Sequence, residues 1–200
     1  MKVLVISTHP KSDSFVRTLR DAAIDELARR GHELRVFDLY EDNFNPVLTA
    51  FERQNHAGPL EPKLDKIADL VPYIDALKWC DSLVLAYPTW WSGQPAILKG
   101  WFDRVLVNEV AWTMPPGKNR IRPHLANIKQ FIVITTHGSS KLINALEGES
   151  GKRTAFRSVR LMFHWRARSS WIAFYGLDNK GDGARAAMVK RLRRKIRRVA

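Results

Sequence analysis

Three short polar segments hold most of the residues in this 200-residue sequence whose types and spacing could do chemistry. The first is Ser7-Thr8-His9-Pro10-Lys11-Ser12-Asp13-Ser14-Phe15, rich in hydroxyls and opening directly into a stretch of helical periodicity. A helix start presents unpaired N–H groups and the positive end of the helix dipole, which attracts an anion such as a phosphate. The plainer role for Ser12 or Ser14 is to cap that helix. The sequence has no GxGxxG fingerprint and no phosphate-loop lysine–serine pair. The second segment, Tyr87-Pro88-Thr89-Trp90-Trp91-Ser92-Gly93-Gln94-Pro95, sets two tryptophans side by side. Adjacent side chains of a strand end cannot both enter one core, so the pair reads as a packed lid, an interface patch or a wall for a flat ligand. The third, Thr135-Thr136-His137-Gly138-Ser139-Ser140, is small and polar, either a simple turn or a hydrogen-bonding edge.

The surrounding periodicity says what positions these segments. Lys2–Ile6, Leu34–Phe37, Ser82–Tyr87, Gln130–Thr136 and Trp171–Tyr175 read as strands. Helical spacing is expected over Ser14–Arg30, closed by Gly31, from Pro72 to Trp79, from Pro95 to about Val107, over Ala155–Trp165 and over Ala184–Arg198. Residues 40–71 are irregular. Strand–helix alternation with apolar strands predicts one α/β domain over 1–200, a five-stranded parallel sheet in the order 2-1-3-4-5 with helices on both faces. Ligands of such sheets bind at the carboxyl ends of the strands, where all three polar segments fall. A phosphate cradle, an aromatic wall and a polar edge together fit a flavin.

Composition narrows the class. Aromatic residues make up 10% of the chain, too many for a solvated, disordered polymer. The apolar runs are short: Val3–Ile6 and Phe131–Ile134 have four residues and none exceeds five, far short of the roughly 20 that a membrane span or the 7–15 that a signal core needs. A cytoplasmic protein is expected. The single Cys80 forbids an internal disulfide and reads as packing at a helix end. Glu147 and Glu149 lack partners of metal-ligating type nearby in sequence, so no metal is expected. Ser139-Ser140 lacks a nucleophile elbow, which argues against hydrolysis. The net charge of +13 is local: residues 152–200 hold 15 Lys/Arg against two acids, and the rest is balanced. Met188, Leu192, Ile196 and Val199 recur at helical steps there, so the last helix packs on the sheet with cations outward. That face predicts no specific nucleic-acid binding and weak peripheral contact with an anionic membrane.

His9-Pro10 with Ser14-Phe15, Asp38-Leu39-Tyr40 with Phe44-Asn45-Pro46, and Tyr87-Pro88-Thr89-Trp90-Trp91 followed by Pro95-Ala96-Ile97-Leu98-Lys99-Gly100-Trp101-Phe102-Asp103-Arg104-Val105 resemble the NAD(P)H:quinone oxidoreductase family of the flavodoxin-like fold. That family takes in quinone reductases, modulator-of-drug-activity reductases and the ancillary subunit of a potassium efflux system. The resemblance runs over nearly the whole chain. It implies a flavin, FAD or FMN, held by His9, Ser14 and Phe15 at its phosphate end, with Pro88, Thr89, Trp90 and Trp91 along the ring and Thr135, Thr136, His137 and Gly138 on its pyrimidine side. It implies ping-pong transfer from NAD(P)H to a quinone-like acceptor, and a homodimer. The efflux relatives imply an alternative, a flavin- or nucleotide-binding regulatory subunit of a membrane transport system.

The sequence departs from that family at one point of chemistry. The best-known members carry Thr-Thr-Gly-Gly in the third segment, then a Tyr and a His that stabilise the reduced flavin. Here His137 replaces the first of those glycines, and ungapped counting puts Ile143 and Glu149 at the Tyr and His positions. The usual proton relay is absent, and His137 is the candidate to replace it. The family's aromatic pair contributed across the dimer aligns with Trp112 and Met114. His164 and Trp165 read as core residues of a helix.

Overall fold

The computed structural model describes residues 1–115 and 117–199. Its sheet is formed by β1 (Lys2–Ser7), β2 (Glu33–Asp38), β3 (Ser82–Pro88), β4 (Gln130–Thr136) and β5 (Arg168–Phe174). All neighbours are parallel and the order is β2-β1-β3-β4-β5. Every residue of the central strands β3 and β4 is buried, which is why both read as continuous apolar runs. The helices are α1 (Phe15–Arg29), α2 (Ala50–Gln54), α3 (Val71–Trp79), α4 (Ala96–Val105), α5 (Lys141–Leu146), α6 (Ser150–Arg157) and α7 (Asp182–Val199). Trp112–Thr113 and Arg122–Pro123 form a small antiparallel ribbon.

The period-two alternation of the strands divides the core in two. Val3, Val5, Val84, Ala86, Ile132 and Ile134 lie on the side of α1 and α7. Leu4, Ile6, Leu83, Leu85, Phe131 and Val133 face the side of α3, α4 and α6. Leu192 and Ile196 are fully buried and Met188 and Val199 partly so, as the stripe on the basic helix predicts. Gly31 takes φ +75° just past α1, the left-handed stop that glycine accepts at low cost. Cys80 is buried at the end of α3, where burial pushes its thiol up to about 12.

Two blocks of the resemblance are joined physically. At Gly100 in α4, a Cβ would run into the backbone of Pro46, so only glycine lets the Phe44–Pro46 loop lie on the helix. One turn on, the buried Arg104 guanidinium donates to Glu52 Oε1 (2.8 Å), Asp69 Oδ2 (2.8 Å) and the Asn45 carbonyl (2.7 Å). Arg104 thus ties α2, the Asn45 loop and the segment before α3 to α4.

The main departure lies before β5. The helix expected over Ala155–Trp165 runs instead over Ser150–Arg157 and gives way to a 3-10 turn over Val159–Met162. Ser158 (φ −122°, ψ −73°) leaves helical geometry there. Trp165 is not core: it is 78% exposed, and His164 is half-buried. β5 also starts three residues earlier than its apolar pattern, because Arg168, Ser169 and Ser170 pair with Gln130, Phe131 and Ile132 through backbone alone.

Candidate functional site

The three polar segments meet at the carboxyl ends of β1, β3 and β4. The His9 and Trp90 rings lie 6.0 Å apart, which brings the first segment to the second. Thr89 N donates to the Thr136 carbonyl (2.8 Å), which fastens the second to the third. A cavity of about 320 Å³ opens between the second and third segments and α5, lined by Thr89, Trp91, Ser92, His137, Gly138, Ser139, Asn144 and Glu147.

Trp91 is fully exposed beside this cavity and Trp90 is 41% exposed. Trp90 and Gly93 exchange two backbone hydrogen bonds (3.2 and 3.0 Å) around a two-residue tip. Trp91 (φ 47°) and Ser92 (φ 60°) both take left-handed backbone. This is the geometry of a type I′ turn, normally made by Asn-Gly, and tryptophan and serine occupy it at a cost of roughly 1–2 kcal/mol each. The α5–α6 region holds the tip in place. The Ser92 hydroxyl bonds Glu147, while Ser150 Oγ (2.6 Å) and Gly151 N (3.0 Å) both donate to the Ser92 carbonyl.

His137 forms the floor and is buried. Asn144 fixes the polarity of its ring. The Asn144 amide nitrogen donates to Ser139 Oγ (2.7 Å) and the Ser140 carbonyl (2.8 Å), so its Oδ1 accepts from His137 Nδ1 (2.6 Å). Nε2 of the neutral ring is then an acceptor, served by the Thr89 hydroxyl at 3.3 Å; that hydroxyl in turn accepts from Thr135 Oγ1 at 2.9 Å. Tyr175 stacks on the imidazole, with centroids 4.5 Å apart. Burial lowers the His137 pKa below the ordinary histidine value, against opposing pulls from Asn144, Glu149 and Glu147. The ring is therefore neutral at pH 7, with one acceptor nitrogen facing the threonine pair.

The first segment lies apart from this floor. Ser14 caps α1 by accepting from Arg17 N (3.4 Å), and the first turn of α1 contains no acid. Capping serves one N–H, so those of Phe15 and Val16 remain available to an anion. Thr8 Oγ1, buried just past the end of β1, has no hydrogen-bond partner among the described residues. Phe15 lines a separate hollow with Asp13, Thr18, Asp182 and Arg185, and does not reach the cavity. Pro88, Thr135 and Thr136 are buried strand ends. Gly138 is exposed, and Asp178 lies directly against its Cα, where a side chain would collide. Ile143 is 46% exposed, and Glu149 pairs with Lys152 (2.9 Å) and acts on His137 through its charge, with no hydrogen bond to the ring among the described residues. Asn144 and Tyr175, the direct neighbours of His137, gave no signal in sequence: one stands seven residues along the chain and the other beyond the next strand. Trp112 donates its Nε1–H to the Leu106 carbonyl (2.9 Å), and Met114 is 51% exposed. Among the described residues, no group of three or more His, Cys, Asp or Glu is placed to hold a metal.

Sheet order, helical layers and a cleft at the strand ends define an α/β protein of the flavodoxin-like class. The chain belongs to the Flavodoxin_2 family of flavodoxin-like folds, whose model matches residues 1–197. It is 33% identical over 162 residues to NAD(P)H dehydrogenase [quinone] 1 of Rattus norvegicus, an alignment covering 75% of this chain and 58% of the rat protein. The chain thus spans little more than half the length of that relative. Smu.1420 from Streptococcus mutans UA159 superimposes with a TM-score of 0.85 at 27% identity, covering all of both chains. The NAD(P)H:quinone oxidoreductase from Methanothermobacter marburgensis gives 0.80 at 26% identity, covering 98% of this chain and 96% of that one.

Proposed function

We propose that this protein is a flavin-dependent NAD(P)H oxidoreductase, passing two electrons to a quinone or a similar planar acceptor. One observation carries the reading: a strained turn presents the aromatic face of Trp91 beside a cavity whose floor is a polarised Thr135–Thr89–His137–Asn144 chain. Backbone strain of this kind persists where the surrounding structure over-determines it, as at ligand sites. The residues present fit a flavin: a buried unpartnered hydroxyl at Thr8, an acid-free helix start for phosphate, and aromatic and polar walls beyond. Such a group, when bound, supplies the two-electron exchange between nicotinamide and acceptor. The chain's own part is to seat it. Phe15 and Val16 N–H groups would hold phosphate, Trp90 and Trp91 would cover the flat face, and His137 Nε2 would be the site that takes up a proton. The names of the relatives agree with this reaction, and NAD(P)H as donor fits a cytoplasmic setting.

The test is direct. Purified protein is expected to be yellow and to bleach on addition of NAD(P)H, and mass spectrometry of the released cofactor decides between FAD and FMN. A colourless protein that takes up no added flavin overturns the reading. Bound flavin with no turnover on any acceptor points instead to the regulatory role. Trp91→Ala is expected to weaken cofactor or acceptor binding by about 1–3 kcal/mol. Unchanged flavin retention and turnover in that variant would remove Trp91 from the pocket.

A homodimer belongs to the same proposal. Met114 and Ile121 are exposed at one end of the ribbon that pairs Thr113 with Arg122, and Ile121 borders a hollow of about 310 Å³ with Phe102, Leu106 and Trp112. Large apolar groups gathered on one surface mark a contact face. Light scattering is expected to give twice the 23.0 kDa chain mass; an active monomer contradicts it.

A further inference from the structure

The exposed Trp165 sits in an ordered loop. The Arg160 guanidinium donates to the carbonyls of Trp165 (2.9 Å) and Ala167 (2.7 Å), and Arg166 lies over the indole, 5.3 Å from its centroid. Leu161, one turn earlier, is 55% exposed. This loop stands at the amino edge of the sheet. Arg168 opens β5, and its N–H bonds the carbonyl of Lys129, the residue before β4. α7 runs back along β5 and ends at the same edge, where Lys195, Arg198 and Val199 share a hollow with Ser170 and Ile172. Two cations of α7 are engaged by α1: Arg193 with Asp25 (3.1 Å) and Arg197 with Glu26 (3.5 Å). Lys129, Arg168, Arg194 and Arg198 are exposed and make no ion pair among the described residues.

We propose that this amino edge docks on an anionic phospholipid bilayer, with Trp165 and Leu161 at headgroup level and the four free cations over the lipid phosphates. Charge complementarity supplies the attraction, since residues 152–200 carry 15 Lys/Arg against two acids. The apolar pair selects a bilayer over other polyanions, because an indole and a leucine gain by entering the interface. The inference stands apart from the flavin reading and adds an orientation to it. The cavity lies at the opposite ends of the strands, seven residues or roughly 20 Å away. Docking therefore leaves the cavity open to water, and the acceptor reaches it from solution, not from the bilayer.

The experiment sediments the full chain with phosphatidylcholine vesicles, with and without phosphatidylserine, at low and high salt. Binding is expected only with phosphatidylserine and is expected to fall with salt. Trp165→Gln is expected to weaken it about tenfold or more. Arg194→Gln and Arg198→Gln are each expected to weaken it about fivefold. Brominated lipid chains should quench the fluorescence of the parent and not that of Trp165→Gln, while NAD(P)H oxidation with a soluble quinone stays unchanged in all three variants. Equal binding to neutral vesicles overturns the proposal, as does a Trp165→Gln variant that binds as the parent does. A short RNA that displaces vesicles and binds parent and Trp165→Gln alike would assign the face to polyanions in general, and would also overturn it.

Discussion

On the proposed function, His137→Gln is expected to retain flavin and to slow its reduction by NAD(P)H by about 10²–10³-fold at the acid end of the profile, the loss typical of removing one electrostatic stabiliser. The glutamine fills the space and bonds Asn144, but it cannot hold a proton. The sign of the pH dependence follows from the direction of the histidine's shift. Burial lowers the His137 pKa, so the imidazolium forms only below the ordinary value of about 6.5. As pH falls through that range Nε2 gains a proton and positive charge appears at the floor of the cavity, which on the proposed function would speed reduction. The parent rate should therefore rise toward acid, and that of the variant should stay flat. The same proton works against folding. The neutral buried ring stabilises the native state above the unfolded pKa, and that contribution is lost as pH falls through the lower folded value. Stopped-flow reduction at a series of pH values reads the first effect. Asn144→Leu adds a second probe, since it frees the ring to change tautomer; it should alter the profile with little change in KM. An unchanged half-reaction in His137→Gln would make the residue structural only.

Arg104→Met is expected to cost about 3–5 kcal/mol of folding stability, because it leaves the buried Glu52 carboxylate facing an apolar chain. Burial alone would raise the Glu52 pKa. The Thr49 contacts and Arg104 outweigh it, and the carboxyl sits below its usual range. The stabilisation is accordingly full above the unfolded glutamate pKa and is lost as pH falls through the folded one. Urea unfolding at neutral and acid pH measures both. The parent should lose stability in acid through this carboxylate, and the difference between parent and variant should narrow there. A variant within about 1 kcal/mol of the parent at pH 7 would show that Arg104 is not the tie between α2 and α4.

Much of this molecule follows from local pattern. The five strands, the polar segments at their ends and the apolar stripe of α7 all show as period-two or period-3.6 spacing, because burial on one face of an element is written in neighbouring residues. Gly31 and Ser14 likewise do what their types predict at helix ends. Edges were less legible. Arg168–Ser170 join β5 through backbone bonds, for which polar side chains leave no trace. Trp165 looks like core by composition, yet the break at Ser158 turns the chain outward before it.

The sequence by itself determined the layered α/β architecture, the place of the cleft and His137 as its unusual residue. Only the tertiary structure decided how that residue is held. Asn144 and Tyr175 reach His137 because the short α5 starts just past the end of β4 and β5 lies beside β4. The left-handed turn at Trp91-Ser92 is held by Glu147, Ser150 and Gly151, more than fifty residues away. The physical reason is one of range. Solvent exposure repeats with the period of an element and leaves a mark in adjacent residues, whereas tautomer, strain and pKa are set by whichever distant groups the strand order brings within about 3 Å.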